Sequence, residues 1–299
     1  MNKIRRGNRE GSRLFGYLMV VPATLLLVVV SIIPLLDGVY LAFTNTNLNT
    51  GADAWVGIQN FVEIFQDSKF YQVFGFTILY AFAVVLFSYI LGMLIALLLN
   101  QDIRFRGVFR AIILAPWVVP PVVATITWSW LLNDKVGLIN TVLQNIGMIQ
   151  EPIYFLSDLT LVKGTVIAFG VWKSYPFMMI TLLAGMQSID GVLYEAAKID
   201  GANEFQVFTK ICIPICKGVI TTCAILVFMD YWNMVEQPLL FFNDTDKYPL
   251  SIFLSKINAQ EVGLAFAVAT FYMIPSLLIF LYGEDQLVEG IAYQGGVKG

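Results

Sequence analysis

Residues 188–214 read SIDGVLYEAAKIDGANEFQVFTKICIP and separate two long apolar segments of the chain. Asp190 is a residue type that caps helix N-termini, and Gly201 is the type that ends helices at positive φ. The apolar residues beyond Gly201 recur at helical spacing as far as a proline: Phe205, Phe208, Ile211 and Pro214. The stretch therefore predicts two short amphipathic helices that meet at a glycine elbow.

The segments around this loop are those of a membrane protein. The chain has 299 residues, of which 58% are hydrophobic and 13% charged, whereas soluble domains carry about 25% charged residues. Its mean hydropathy is +0.74. About 20 apolar residues cross roughly 30 Å of hydrocarbon, so the charge-poor stretches of the chain predict an all-α membrane protein. We expect one domain over 1–299. Its six spans are predicted at about 14–38, 70–99, 109–132, 161–186, 218–240 and 262–283.

Basic residues set the predicted orientation of these spans. Twelve Lys and Arg residues fall in the two tails and in the second-to-third and fourth-to-fifth connections, against five in the other connections. We therefore expect both termini in the cytoplasm. Basic residues before an apolar run are also typical of a signal peptide, but this run is too long and lacks a small-residue cleavage site. We interpret it as an uncleaved signal anchor.

Several classes of function lose support from the composition. The chain has no histidine, which removes the commonest general base and metal ligand. Cys212 and Cys216 could share a helix face, but two thiolates leave zinc half coordinated, so we expect no metal site and treat them as apolar filler. An intramembrane enzyme would need a paired acid and base, which the scattered carboxylates do not offer. The net charge of −3 gives no reason to expect nucleic acid as a partner.

The loop at 188–217 resembles the EAA loop of ABC-importer permeases. That pattern is Glu-Ala-Ala, three residues, Gly, nine residues and Ile-x-Leu-Pro; here 195–197, Gly201 and 211–214 match it, with only Ile213 departing. Further segments resemble the carbohydrate and glycerol-phosphate branch of these binding-protein-dependent inner-membrane components: WVGIQNF (55–61), APWVVPP (115–121), WKSYPFM (172–178) and EGIAYQGGVKG (289–299). The resemblance covers nearly the whole chain and implies the type I ABC importer permease fold.

The resemblance also implies how the loop works. In the family, the EAA helix docks in a groove of a cytoplasmic ATPase subunit. The implied coupling residues are Leu193, Tyr194, Glu195, Ala196, Ala197, Asp200, Gly201 and Pro214. Glu195 would contact a basic residue of the ATPase; the alternative is a solvated helix charge. Taken on periodicity alone, the two helices could equally form an interfacial hairpin on lipid headgroups.

A solute pathway in the fourth and fifth spans is implied in the same way. In the maltose-type permeases of this family, solute contacts come from these two helices. Alignment with them through Pro176 and Pro214 gives Lys173, Ser174, Phe177, Val227, Asp230, Tyr231 and Met234, and the neighbouring Asn233 is a further candidate. Sugars are bound by aromatic faces and planar hydrogen-bonding groups, and this set offers both. Lys173 and Asp230 could instead form a structural salt bridge between helices. A partner permease could also hold the solute while this chain only lines the path.

These features predict the membrane subunit of an ATP-driven, binding-protein-dependent importer of a sugar or oligosaccharide, in a prokaryotic plasma membrane. The chain has no GxxxxGK[ST] phosphate loop, so we expect no enzymatic activity and no bound cofactor, with ATP and Mg²⁺ on partner subunits. The other expected partners are a second, non-identical six-span permease and an extracytoplasmic binding protein. Gly295, Gly296 and Lys298 of the tail are expected at the ATPase interface.

Two alternatives concern the solute and the energy source. Glycerol phosphate or another polar solute could replace the sugar; Asp230 and Glu236 would repel a phosphate, although Lys173 could offset them. An ion-coupled secondary transporter would predict internal repeats and broken helices, and it would have no need of the EAA elbow.

Overall fold

A computed structural model of the chain describes residues 2–101, 103–242, 249–251 and 261–295, and these fold mainly into α-helices. In chain order the helices are α1 (Asn2–Leu27), α2 (Ile33–Leu41), α3 (Gln59–Gln66), α4 (Ser68–Asn100), α5 (Arg106–Val118), α6 (Pro121–Leu131), α7 (Leu138–Asn145), α8 (Leu159–Gln187), α9 (Gly191–Ile199), α10 (Glu204–Val207), α11 (Ile213–Ile215), α12 (Lys217–Trp232), α13 (Glu236–Phe241) and α14 (Val262–Gly295). Two π-helical turns, Val28–Ile32 and Phe208–Cys212, join α1 to α2 and α10 to α11.

Four helical stretches within the described residues are long and apolar enough to cross a membrane: Phe15–Leu41, Ser68–Asn100, Leu159–Gln187 and Val262–Val288. The number rises to six if two bent pairs, α5 with α6 and Phe205–Ile215 with α12, each count as one span. The chain is therefore a multi-pass membrane protein, in agreement with the predicted all-α fold. Its last helix has 34 residues and is about 50 Å long, so it extends well beyond the hydrocarbon layer.

The third and fifth spans, predicted at 109–132 and 218–240, are each interrupted by a break in the helix. α5 and α6 meet at 92°, because Val119 and Pro120 each precede a proline and adopt extended conformations, with ψ of 131° and 136°. In the fifth span, α12 ends at Trp232, and the chain turns before α13 begins at Glu236. Prolines inside a helix favour a bend, but the sequence alone does not indicate so sharp a break.

The described residues belong to two compact units, Met1–Asp67 with Ile257–Met273 and Ser68–Lys256 with Ile274–Gly299. The expectation of a single membrane domain stays a prediction. In the first unit, an isolated β-bridge joins Thr44 to Trp55 in the connection after α2. The Asn60 amide donates to the Thr44 carbonyl at 2.8 Å. A Cβ added at Gly263 would lie 1.9 Å from the same carbonyl oxygen, so only glycine fits there.

In the second unit, α4 and α8 approach each other closely at glycines. A Cβ at Gly92 of α4 would lie 2.8 Å from the Cβ of Met178. A Cβ at Gly170 of α8 would lie 2.8 Å from the Val84 side chain and 2.9 Å from the Tyr231 ring. Small residues at such positions allow membrane helices to pack at short distance. This packing holds α8 and α12 in the arrangement that forms the cavity described below.

Candidate functional site

The elbow at 188–217 begins with the short helix that the sequence predicted. The carboxylate of Asp190 accepts a hydrogen bond from the Val192 N–H at 3.0 Å, which satisfies one free amide at the start of α9. At the other end, Gly201 has φ of +76°. The Ala202 N–H donates to the Ala197 carbonyl at 2.9 Å and closes the last turn. The residues thus form the expected helix with its terminal glycine.

A reciprocal cap starts the second helix of the elbow. The Gln206 N–H donates to the side-chain oxygen of Asn203, and the Asn203 N–H donates to that of Gln206, both at 2.9 Å. The chain then passes through the π-helical turn Phe208–Cys212, so that Pro214 lies inside a continuing helix and the break follows at Cys216. The sequence predicts that the helix ends at Pro214, and the structure corrects this. The wider turn before it accommodates a ring that would otherwise clash with the preceding turn.

One face of α9 is open to the surroundings. Val192, Glu195, Ala196 and Ile199 follow helical spacing and are all exposed; we call these four residues the elbow surface. Leu193, Asp200, Gly201 and Pro214 of the predicted coupling set are also exposed. The elbow surface therefore presents one carboxylate among small and apolar side chains.

Two other members of the predicted coupling set face inward. Ala197 is buried, and the Tyr194 hydroxyl donates to the Met186 carbonyl at the end of α8, at 3.4 Å. The same hydroxyl lies 3.4 Å from the Cys212 sulfur. Burial and the contact with this thiol raise the pKa of Tyr194 above its ordinary value. Tyr194 therefore ties α9 both to α8 and to the second helix of the elbow.

A cavity of about 630 Å³ lies among α8, α12, α13 and the break between α5 and α6. Its lining includes all eight residues that the sequence predicted for the solute pathway: Lys173, Ser174, Phe177, Val227, Asp230, Tyr231, Asn233 and Met234. The structure brings these residues together. That they contact a solute stays a prediction.

A further part of the cavity wall comes from the third span, which the sequence did not assign to the pathway. Trp117, Val118, Val119, Pro120 and Pro121 line it, with the Trp117 ring stacked on Phe177 at 6.1 Å between centroids. The prolines in this stretch were the available signal, because a bent helix exposes a concave side. Leu226, Glu236 and Gln237 complete the lining.

Lys173 contacts main-chain oxygens at the break in the third span. Its ammonium donates to the carbonyls of Pro116 at 2.8 Å, Trp117 at 3.0 Å and Val119. Within the described part of the chain it forms no ion pair with Asp230. The alternative of a structural Lys173–Asp230 salt bridge is therefore not what the structure contains, because the carbonyls occupy the ammonium instead.

Hydrogen bonds between helices fix the polar side of the cavity. The Ser174 hydroxyl donates to that of Tyr231 at 2.7 Å, and Tyr231 donates to the Gly170 carbonyl at 2.9 Å. Gln237 is fully buried, and its side-chain oxygen accepts from the Tyr80 hydroxyl at 2.8 Å. The nitrogen of that amide has no partner among the described residues. This amide is a polar group of the cavity that no local sequence pattern indicates.

The remaining predictions concern the tail and the cysteines. α14 ends at Gly295, whereas Gly296 and Lys298 lie outside the described residues. Cys212, Cys216 and Cys223 are buried and free. In the described ranges no group of three or more His, Cys, Asp or Glu side chains could hold a metal ion.

Comparisons with known proteins agree with this architecture. The family described as "Binding-protein-dependent transport system inner membrane component" matches residues 88–288. The trehalose/maltose transport system permease protein MalF of Thermococcus litoralis is 34% identical over 273 residues, which are 88% of this chain and 91% of that protein. The maltodextrin transport system permease protein MdxF of Bacillus subtilis is 31% identical over 250 residues, 78% of this chain and 57% of that protein.

A solved structure has the same fold. It is a chain in the crystal structure of a bacterial alginate ABC transporter in complex with an alginate pentasaccharide-bound periplasmic protein. The TM-score is 0.77 at 23% sequence identity, over 92% of this chain and 94% of that chain.

Proposed function

Because the chain belongs to the family of binding-protein-dependent transport system inner membrane components, we propose that it is the membrane-spanning subunit of an ATP-driven importer that moves a sugar or oligosaccharide into the cytoplasm. The observation that carries the proposal is the cavity in the second unit, where a stacked aromatic pair and hydroxyl, amide and carboxylate groups surround about 630 Å³. That volume is typical of small-molecule sites. Relatives that are named for trehalose, maltose and maltodextrin transport support the same solute class.

The charges of the cavity favour a neutral solute over glycerol phosphate. An ammonium has three N–H donors, and those of Lys173 face three carbonyls. Lys173 therefore has no donor left for a phosphate. Asp230 and Glu236 line the same cavity, and their carboxylates would repel an anion. Lys173 therefore does little to reduce the repulsion between these carboxylates and an anionic solute.

The elbow supports the assignment of the ATPase contact to α9. Its exposed face carries Glu195 beside Ala196, so a partner helix or groove can approach closely and pair a basic residue with the carboxylate. The inward contacts of Tyr194 would pass a displacement of α9 to α8 and to the fifth span. On this proposal ATP and Mg²⁺ stay on cytoplasmic subunits. The chain itself binds no cofactor and is not an enzyme.

The same proposal fixes the orientation and the remaining partners. The elbow must lie in the cytoplasm to reach an ATPase, which places both termini there as the basic residues predict. A second, non-identical permease would complete the pathway, and an extracytoplasmic binding protein would deliver the solute.

Uptake by proteoliposomes that contain the complete transporter tests the solute class. We expect ATP-dependent accumulation of labelled maltose or trehalose, delivered by the cognate binding protein, and none of labelled glycerol 3-phosphate. Asp230→Asn should lower the rate of sugar uptake, because a carboxylate accepts hydrogen bonds from sugar hydroxyls more strongly than an amide does. Uptake of glycerol 3-phosphate with no uptake of any sugar would overturn the proposed solute class.

A further inference from the structure

Lys173 lies in the middle of α8 and is only 8% exposed, yet it has no acidic partner in the described part of the chain. Its three hydrogen bonds go to main-chain carbonyls of the third span. A charged group at such a depth is costly unless it faces a partner or a cavity. The carbonyls are therefore the partners that make its position tolerable.

Two of these carbonyls are left without donors by prolines, and the third by the extended conformation at the break. In an α-helix the carbonyl of residue i accepts from the N–H of residue i+4. The carbonyls of Pro116 and Trp117 would therefore accept from the N–H groups of residues 120 and 121. Both of these residues are prolines, which have no N–H group. The third carbonyl, of Val119, leaves the helical direction because that residue is extended, with ψ of 131°. The three donors of one ammonium thus match three carbonyls that the break exposes.

The position also suits a positive charge. α5 ends at Val118, and the C-terminal end of a helix carries the negative end of its dipole. Inside a bilayer, a carbonyl without a donor is costly where no cavity hydrates it, and Pro116 is buried. Lys173 therefore caps α5 from a neighbouring helix and stabilises the bent form of the third span.

We propose that Lys173 is a positioning residue: it holds the third span bent and so fixes the cavity wall at 117–121, and it does not act as a ligand of the solute. Without its ammonium, the exposed carbonyls would favour a rearranged break, and Trp117 would lose its place opposite Phe177. The inference rests on the proposed function only for its transport readout. Its structural part concerns a contact between α8 and the α5–α6 break.

The test has two parts: substitutions at Lys173 remove or keep its ammonium donors, and substitutions at Pro120 and Pro121 restore the backbone N–H groups that proline lacks. Lys173→Met removes the donors at similar length, Lys173→Arg keeps a charged donor, and Lys135→Met, at an exposed lysine, is the matched control. In the complete transporter we expect K173M to lower the melting temperature by at least about 4 °C. The maximal uptake rate should fall by about tenfold or more. K173R should recover most of both, and K135M should behave as the wild type.

The decisive comparison uses the double variant Pro120→Ala with Pro121→Ala, which returns N–H groups to both positions. In that background K173M should lower the melting temperature by less than half as much as in the wild-type background, because backbone donors now serve the carbonyls of Pro116 and Trp117. If K173M alone does not fold, we expect the variant with all three substitutions to fold. That result would equally show that backbone donors replace those of Lys173.

Three results would overturn the inference. The first is a fall in melting temperature on K173M that is equal in the two backgrounds. The second is a triple variant that does not fold although P120A/P121A alone does. The third is a K173M variant with a normal melting temperature and a KM raised tenfold. The last result would make Lys173 a solute ligand. Absence of sugar uptake by the wild type would refute the proposed function alone, because the melting comparison does not depend on a solute.

Discussion

Substitution of Gly170 by alanine tests the packing that places α8 against α4 and α12. The new Cβ would lie 2.8 Å from Val84 and 2.9 Å from the Tyr231 ring, whereas carbon atoms pack at about 3.5–4.0 Å. Val84 and Tyr231 are 0% and 3% exposed, so neither can move into open space. Overpacking of this kind costs about 1–3 kcal/mol.

Gly164 is the matched control, because it lies in the same helix and a Cβ there would meet nothing within 4 Å. Both substitutions gain roughly 0.5–1 kcal/mol of helix propensity, which cancels when the two variants are compared. The difference of about 1–3 kcal/mol should therefore be the clash alone. At about 2–4 °C per kcal/mol for a domain of this size, Gly170→Ala should melt about 2–12 °C below Gly164→Ala.

Differential scanning fluorimetry of the purified transporter measures this difference, and uptake assays measure its functional consequence. Tyr231 lines the cavity and donates to the Gly170 carbonyl, so its displacement should also slow uptake in Gly170→Ala. Equal melting temperatures for the two variants would refute the close approach at Gly170. Equal uptake rates would refute the role given to Tyr231 in the cavity.

The remaining predictions concern the elbow and the first unit. Glu195→Lys should leave the protein inserted but uncouple uptake from ATP hydrolysis, while Glu151→Lys, a charge reversal at another exposed site, should not; normal uptake by E195K would contradict the coupling role. Gly201→Ala should cost about 1–2 kcal/mol because its φ is +76°, whereas Gly191→Ala, with open space and no positive φ, should not lower the melting temperature. Asn60→Leu should destabilise by about 1–3 kcal/mol, because its amide bonds two carbonyls inside the first unit; an unchanged melting temperature would show that these bonds contribute nothing.

Local patterns predicted the elbow well, because each of its features depends on neighbouring residues. Asp190 caps α9, and Gly201 ends it with a positive φ, as their residue types indicate. The π-helical turns were not predictable in this way. One ends two residues before Pro34 and the other two residues before Pro214, so each widened turn gives space to a proline ring. A kink in the helix would also avoid the clash, and the sequence does not distinguish the two.

Long-range contacts explain what the sequence could not predict about the cavity. Opposite charges on neighbouring helices made a Lys173–Asp230 pair plausible. The competing acceptors, however, arise only once the third span breaks at Pro120 and Pro121 and exposes its carbonyls. A linear pattern shows the prolines and the lysine separately, and only the packing of α8 on the break joins them. The same packing adds Trp117 to the cavity wall.

Co-purification tests the central claim most directly. The tagged chain is extracted from its native membranes in mild detergent, and the proteins bound to it are identified by mass spectrometry. We expect a P-loop ATPase subunit together with a second six-span permease. Recovery of the chain alone, or only with unrelated proteins, would contradict the assignment as an importer subunit.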